Sequence, residues 1–284
     1  MIDGQTCAQV LASMNARGRH VCVGLDTDPA RIPPCLNAGA PDYKRVVAFN
    51  SAIVEATATV ACAYKPNAAF YEALGRDGFL ALSQTVAAIR RLAPGIPVII
   101  DAKRADIGNT NNGYVSAIFD QLGADAVTVH PYLGGEALRP FLDRSDRIIF
   151  VLARTSNPGA GEIQDMNVGG LPLYRHVARI VASDWNQHGN CGLVVGATYP
   201  AELAVVREDI PATMPMLIPG IGAQGGDLEA VIRAQSPSEE NSFLINASRS
   251  VMYASSGPDF AVAAGAEAGR LDDQITALLE QSPA

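Results

Sequence analysis

Two lysines and two aspartates that follow apolar runs are the residues best suited to acid–base chemistry. Lys65 follows VACAY, and the segment DAKRADIGNT carries Asp101, Lys103 and Asp106. Asp101 and Lys103 are two residues apart, so on an extended strand their side chains point to the same side. Alternating carboxylate and ammonium groups keep each other ionised in a water-poor pocket. A structural salt-bridge network is the alternative for DxKxxD alone, but the added lysine and the strand-end position favour catalysis.

A glycine-rich segment, PGIGAQGGD at residues 219–227, is the second candidate. Its glycines permit positive φ and a close approach of the backbone to a ligand, and Asp227 is placed to cap the following helix. Backbone N–H groups at such a turn bind phosphate. Arg249, one loop later, offers a fork of donors that suits phosphate oxygens.

The other polar residues behind apolar runs are Asp26, His130 and Ser156. We interpret His130 as a packed, hydrogen-bonded residue in preference to a catalytic one. No set of histidines, cysteines and carboxylates has the spacing of metal ligands, so we expect neither a metal nor a cofactor.

These residues need a scaffold of parallel strands, because the apolar runs that precede them are short and continuous, as in strands buried on both faces. The predicted strands are 20–25, 60–64, 98–100, 126–129, 148–152, 193–195, 216–218 and 243–245. The predicted helices between and after them include 43–59, 77–92, 110–122, 171–187, 200–208, 227–234 and a C-terminal helix from Asp259.

Eight strands with interleaved helices predict an α/β fold, a (β/α)8 TIM barrel formed by a single domain over residues 1–284. An open, doubly wound sheet is the alternative. In a barrel the carboxyl ends of the strands carry the active site, and the loops after strands seven and eight bind phosphate. Residues 219–227 and Arg249 fall in those two loops, and the Gly- and Asn-rich loop 154–170 follows strand five.

The composition narrows the class of protein. The net charge of −8 and the pI of about 5.0 disfavour nucleic-acid binding. The five cysteines form no CxxC pair, no apolar run approaches a membrane span, and the first residues do not resemble a signal peptide. We therefore predict a cytoplasmic protein with no nucleic-acid or membrane partner.

The segments AYKPNAAFYEALG, DAKRADIGNT and PGIGAQGGD, in this order, resemble orotidine 5'-monophosphate decarboxylases over nearly the whole chain, from GLDTDP to SRSVMY. VTVHPYLGGEAL and RTSNPGAG are most similar to the bacterial type 2 subgroup. The chain departs from better-known members in the long loop after strand five and in residues 246–248, where others have a glycine before the arginine.

The resemblance implies a homodimeric enzyme of pyrimidine biosynthesis that converts orotidine 5'-monophosphate to uridine 5'-monophosphate and CO2 without a cofactor. It implies a catalytic array in which the last aspartate reaches the neighbouring subunit's site. The residues that match that array are Lys65, Asp101, Lys103 and Asp106. The residues that match substrate-binding positions are Asp26, Ile107, Thr110, Ser156, Gly220, Gln224, Gly225 and Arg249.

Three other functions remain open at this point. A related decarboxylase of 3-keto-gulonate 6-phosphate shares DxKxxD but needs Mg2+, and the Gln in the glycine-rich loop and Ser156 favour the nucleotide instead. A Schiff-base aldolase would use Lys65 or Lys103. A non-catalytic binder of phosphorylated ligands would have no use for a proton donor at Lys103.

Overall fold

The computed structural model describes residues 4–36, 39–221, 226–235 and 242–281. Eight strands in the described part form one parallel sheet. In chain order they are β1 (Val21–Gly24), β2 (Ala61–Lys65), β3 (Ile99–Arg104), β4 (Ala126–Val129), β5 (Ile148–Arg154), β6 (Cys191–Val195), β7 (Met216–Pro219) and β8 (Phe243–Ala247). Each lies on one of the eight predicted strands.

The sheet closes on itself. Its strand order is β2-β1-β8-β7-β6-β5-β4-β3, so β2 and β3 are the two edges. Isolated parallel bridges join these edges at Tyr64–Val98 and Asn67–Asp101. The Tyr64 N–H donates to the Pro97 carbonyl at 2.9 Å, and the Asp101 N–H donates to the Pro66 carbonyl at 3.0 Å. The prediction of a (β/α)8 barrel is confirmed, and the open-sheet alternative is wrong.

Helices separate the strands as predicted. The α-helices are Cys7–Ala16, Asp42–Thr57, Ala68–Glu72, Gly78–Leu92, Gly108–Val115, Gly134–Leu142, Gly161–Gln164, Leu173–Ile180, Pro200–Asp209, Leu228–Ala234, Arg249–Met252 and Phe260–Glu280. Two of them continue as π-helical turns, Ser116–Gln121 and Val181–Trp185. Short 3-10 turns lie at Pro29–Arg31, Gly75–Asp77 and Pro158–Ala160. The side chain of Asp227 caps Leu228–Ala234 by accepting from the Ala230 N–H at 3.2 Å, as predicted.

The amino-terminal end of the barrel is plugged by apolar side chains. Cys22, Cys62 and Phe150 pack inside the barrel against Cys7 and Leu11 of the first helix. The buried thiols belong to this packing or to the layer between strands and helices. The cavity that could admit a ligand lies at the opposite end, at the carboxyl ends of the strands.

The segment after β5 has more structure than the predicted loop. It contains a 3-10 turn, the helix Gly161–Gln164 and a two-stranded antiparallel hairpin of Asn167–Val168 and Leu171–Pro172. The next helix therefore begins at Leu173, two residues later than the prediction of 171–187.

The C-terminal helix Phe260–Glu280 confirms the prediction of a helix from Asp259. It packs on Asp42–Thr57, where a Cβ at Gly265 would lie 2.8 Å from the Ala56 carbonyl oxygen. Within the described ranges, every helix is too short or too polar to cross a lipid bilayer. The extent of a single domain over 1–284 stays a prediction.

Candidate active site

A cavity of about 530 Å³ opens at the carboxyl ends of the strands. Its floor is apolar, and polar side chains from strand ends and loops form its walls. It is lined by Asp26, Lys65, Asn67, Asp101, Lys103, Thr128, Leu152, Thr155, Ser156, Asn157, Gln164, Val194, Leu217, Pro219, Gly220, Ile221, Asn246, Ser248 and Arg249. The predicted positions on β1, β2, β3, β5, β7 and β8 thus meet in one place.

Asp101 lies between two lysines. Its Oδ2 is 2.9 Å from Lys65 Nζ, and its Oδ1 is 2.6 Å from Lys103 Nζ. Lys65 is only 2% exposed, whereas the Lys103 side chain is 49% exposed towards the cavity. The Lys65 ammonium is therefore buried against the carboxylate, and the Lys103 ammonium is accessible to a ligand.

The pair of lysines controls ionisation in the site. Burial opposes ionisation of the Asp101 carboxyl, but the ammonium groups of Lys65 and Lys103 outweigh it and hold the pKa of Asp101 well below its usual range. Burial alone would lower the pKa of Lys65, but the carboxylates of Asp101 and Asp26 raise it above its usual range. Asp101 is therefore an anion and Lys65 a cation at neutral pH.

The backbone of Lys103 is strained. Its φ of 47° makes it the one non-glycine residue with positive φ within the described ranges. The pairing of β3 with β4 shifts register between Ile100 and Arg104. The strand predicted at 98–100 thus continues to Arg104 but is irregular at Lys103. The Asp101 and Lys103 side chains meet as expected, although not through the alternation of a regular extended strand. Strain of this kind costs about 1–3 kcal/mol and clusters at functional sites.

Asp106, Ile107 and Thr110 are not part of the cavity lining of this chain within its described portion. The Asp106 carboxylate accepts from the Ile107 N–H at 2.7 Å, and the main-chain N–H of Asp106 donates to Asn111 Oδ1 at 2.9 Å. The Ile107 side chain is 65% exposed, and Thr110 is exposed. A single chain therefore brings together three of the four predicted catalytic residues.

Asp26 lies beside Lys65, with Oδ1 of Asp26 4.0 Å from Nζ. Oδ1 is buried and has no hydrogen-bond partner among the described residues. Asp26 also lines the cavity, where its carboxylate can accept from a ligand hydroxyl.

The predicted phosphate site is described in part. Gly220 has a φ of 110°, which only glycine adopts without strain, and it lines the cavity together with the exposed Arg249. Gln224 and Gly225 lie outside the described residues. Gly220 and Arg249 therefore line the same cavity, at the ends of the neighbouring strands β7 and β8.

Ser156 follows β5 and packs on Gly196, the residue directly after β6. A Cβ at Gly196 would lie 2.9 Å from the N, Cα and Cβ atoms of Ser156. Ser156 lines the cavity with Thr155 and Asn157. Its role in reading a base edge stays a prediction.

Several lining residues escaped the sequence analysis. Thr128 is polar within the apolar strand β4, which is a signal that could have identified it. Asn67 follows Lys65 and Pro66 at the end of β2, and its side chain caps the next helix. Gln164 carries no local signal, because it reaches the cavity only when the segment after β5 folds back. His130, by contrast, does not line the cavity within the described ranges.

Lysine is rare in the chain: Lys44, Lys65 and Lys103 are its three lysines, and two of them contact one carboxylate. Among the residues that the structure describes, no group of three or more histidine, cysteine, aspartate or glutamate side chains could hold a metal ion.

Comparisons with known proteins agree on one family. The sequence model of the orotidine 5'-phosphate decarboxylase / HUMPS family matches residues 19–264. An orotidine 5'-phosphate decarboxylase of Herpetosiphon aurantiacus is 52% identical over 254 residues, covering 89% of this chain and 91% of that protein. Another, of Roseiflexus sp. (strain RS-1), is 49% identical over 271 residues, covering 95% and 97%.

A solved structure extends the agreement to three dimensions. The Leishmania donovani OMP decarboxylase superposes with a TM-score of 0.83 at 37% identity, covering 96% of this chain and 98% of that one. The matching barrel, the sequence match and the named relatives establish a carboxy-lyase that acts on orotidine 5'-monophosphate: the chain belongs to the orotidine 5'-phosphate decarboxylase / HUMPS family.

Proposed function

We propose that Lys103 is the proton donor of the decarboxylation and that Asp101 and Lys65 hold it in place. The observation that carries this proposal is the pair of contacts from one Asp101 carboxylate to Lys65, at 2.9 Å, and to Lys103, at 2.6 Å. Lys65 is buried, so it can position but not reach a ligand freely. Lys103 presents its ammonium to the cavity.

The chemistry needs fixed charges. When the bond between C6 and the carboxylate breaks, the electron pair stays on C6, which has no adjacent electron sink, and CO2 leaves. The Lys103 ammonium stabilises this developing charge and transfers a proton to C6, which gives uridine 5'-monophosphate and a neutral amine that regains its proton from water. Asp101 lies beside the substrate carboxylate and repels it until CO2 departs.

The rest of the cavity binds the parts of the nucleotide that do not react. Asp26 binds the ribose through its carboxylate, and Ser156 reads the pyrimidine edge. Arg249 binds the phosphate together with the backbone at Gly220 and with Gln224 and Gly225. Binding energy from the remote phosphate then serves to position the reacting carbon.

Each active site is completed by a second subunit. The Asp106 carboxylate does not line the cavity of its own chain within the described residues, and Ile107 beside it is exposed. In the proposed homodimer, Asp106, Ile107 and Thr110 of one chain enter the site of the partner. Asp106 then supplies the second carboxylate of the alternating array.

The proposed compartment is the cytoplasm. Cys7, Cys22, Cys62 and Cys191 are buried free thiols, which suits a reducing environment.

The proton-donor role is tested by Lys103→Ala, with Lys44→Ala as the matched control. Lys44 is exposed and lies over the ring of its neighbour Tyr43. The loss of orotidine 5'-monophosphate absorbance, followed in EDTA, should persist in the parent and in Lys44→Ala and vanish in Lys103→Ala with the circular dichroism unchanged. Turnover of Lys103→Ala within a few-fold of the parent would refute the role, and loss of parental activity in EDTA would indicate a metal-dependent reaction.

A further inference from the structure

The side chain of Gln164 reaches back nine residues to hold Thr155. Gln164 Oε1 accepts from the Thr155 N–H at 2.9 Å, and Gln164 Nε2 donates to the Thr155 hydroxyl at 2.8 Å. Both bonds have good geometry, and together they fix the main chain and the side chain of one residue. We call this pair of bonds the Gln164 clasp.

The clasp lies where the strand pairing ends. The last bond of β5 is from the Gly196 N–H to the Arg154 carbonyl, at 2.8 Å. Beyond it the backbone leaves the barrel, and the Thr155 N–H has no neighbouring strand as a partner. The Thr155 hydroxyl, which accepts from Gln164, also donates to Asn157 Oδ1 at 2.6 Å. Thr155 directly, and Asn157 through the Thr155 hydroxyl, are thus linked to one amide at the cavity wall.

Arg154 anchors the helix that carries Gln164. The arginine is 3% exposed, contacts Asp165 at 3.3 Å and lies over the ring of Tyr199, with its Cζ 4.1 Å from the centroid. Its Nη1 also donates to Gln164 Oε1, at 3.4 Å. The amide oxygen therefore faces two donors and the amide nitrogen faces a hydroxyl, which sets the orientation of the Gln164 side chain.

Ser156 sits between the clasp and β6. It follows Thr155 directly, and on its other side the missing side chain of Gly196 leaves just enough room for it. Both Gln164 and Ser156 line the cavity. The position of Ser156 is thus determined from two sides, by close packing on Gly196 and by hydrogen bonds from Gln164 through Thr155.

We infer that Gln164 is a positioning residue for recognition of the base: the clasp holds Ser156 where it reads the pyrimidine edge. This inference rests on the base-reading role proposed for Ser156. Without the clasp, the segment after Arg154 is less ordered in the free enzyme and must be ordered when the nucleotide binds. The conformational entropy lost in that step weakens binding. Only ligands that carry a base should bind more weakly.

The test compares the affinity for two ligands, uridine 5'-monophosphate and ribose 5-phosphate, by calorimetry. Gln164→Met keeps the volume of the side chain but removes both hydrogen bonds. We expect it to weaken uridine 5'-monophosphate about tenfold, equivalent to about 1.4 kcal/mol, and to leave ribose 5-phosphate within about twofold. Gln274→Met is the matched control: Gln274 is exposed on the C-terminal helix, and the exchange should change neither affinity.

Thr155→Val, which removes the hydroxyl end of the clasp, gives an independent measurement and should shift selectivity in the same direction. Ser156→Ala separates the two levels of the proposal. If Ser156→Ala weakens uridine 5'-monophosphate selectively but Gln164→Met and Thr155→Val do not, or if these two weaken both ligands equally, the positioning role is overturned alone. If Ser156→Ala spares uridine 5'-monophosphate, the base-reading role is wrong and the inference falls with it.

Discussion

The main-chain N–H of Lys103 donates to the hydroxyl of Thr128, 3.0 Å away on the neighbouring strand. The same hydroxyl donates to Asp101 Oδ1 at 2.8 Å. One threonine thus stabilises both the left-handed backbone of Lys103 and the carboxylate that contacts its ammonium. The bond replaces regular strand pairing at the point where β3 departs from it.

Thr128→Val should therefore reduce both stability and turnover. Valine keeps the shape but leaves the Lys103 N–H and one Asp101 oxygen without this partner, a loss of about 1–3 kcal/mol in the free energy of unfolding. Misplacement of Lys103 should lower kcat by about 10- to 100-fold. Denaturant titration and steady-state kinetics measure the two effects.

Thr198→Val is the control for this exchange, because the buried Thr198 hydroxyl has no hydrogen-bond partner within the described residues. It should leave stability and kcat close to the parental values. A Thr128→Val enzyme with parental kcat would show that the hydroxyl does not position Lys103.

Arg249→Ala tests phosphate recognition. The substitution should remove a charge-assisted pair of about 1.5–3 kcal/mol from the binding of the nucleotide. Activity on orotidine, which lacks the phosphate, should change little. Arg233→Ala removes an exposed arginine that pairs with Glu229 and should affect neither substrate. Equal losses on both substrates would show that Arg249 does not bind the phosphate.

The segment 154–170 should act as a lid. Its helix, its hairpin and the turn between them carry exposed apolar side chains, including Ile163, Met166 and Val168, and its base contributes Ser156 to the cavity. Hydrogen exchange should slow in this segment when a nucleotide inhibitor binds. The helix Phe260–Glu280, packed on the outside of the barrel, serves as an internal reference. No added protection in 154–170 would reject the lid.

Inactive Lys103→Ala and Asp106→Ala chains should complement each other if the site is shared. In a mixed dimer one site receives an intact Lys103 from one chain and an intact Asp106 from the other, while the second site carries both lesions. Random mixing makes about half the dimers mixed, so about a quarter of the parental sites should work. A mixture that stays inactive while native mass spectrometry shows mixed dimers would refute the shared site.

Sequence reasoning located the strands and the polar residues at their ends because a strand buried on both faces is a continuous apolar run in the sequence, such as IIFVL at residues 148–152. It could not foresee the φ of 47° at Lys103, because an L-residue avoids that region unless its neighbours impose it. Thr128 imposes it through a contact between strands 25 residues apart. Gln164 could not be identified for the same reason, because its contact with Thr155 depends on how the segment after β5 folds back.

The Lys65–Asp101 contact also spans the place where the barrel closes between its two edge strands, β2 and β3. β2 and β3 meet only through isolated bridges within the described residues, and the ion pair ties their ends together at 2.9 Å. Two residues of the reaction centre thus also connect the edge strands of the barrel. A substitution at either residue therefore removes a charged group of the reaction centre and, at the same time, a side-chain connection across the closure of the barrel.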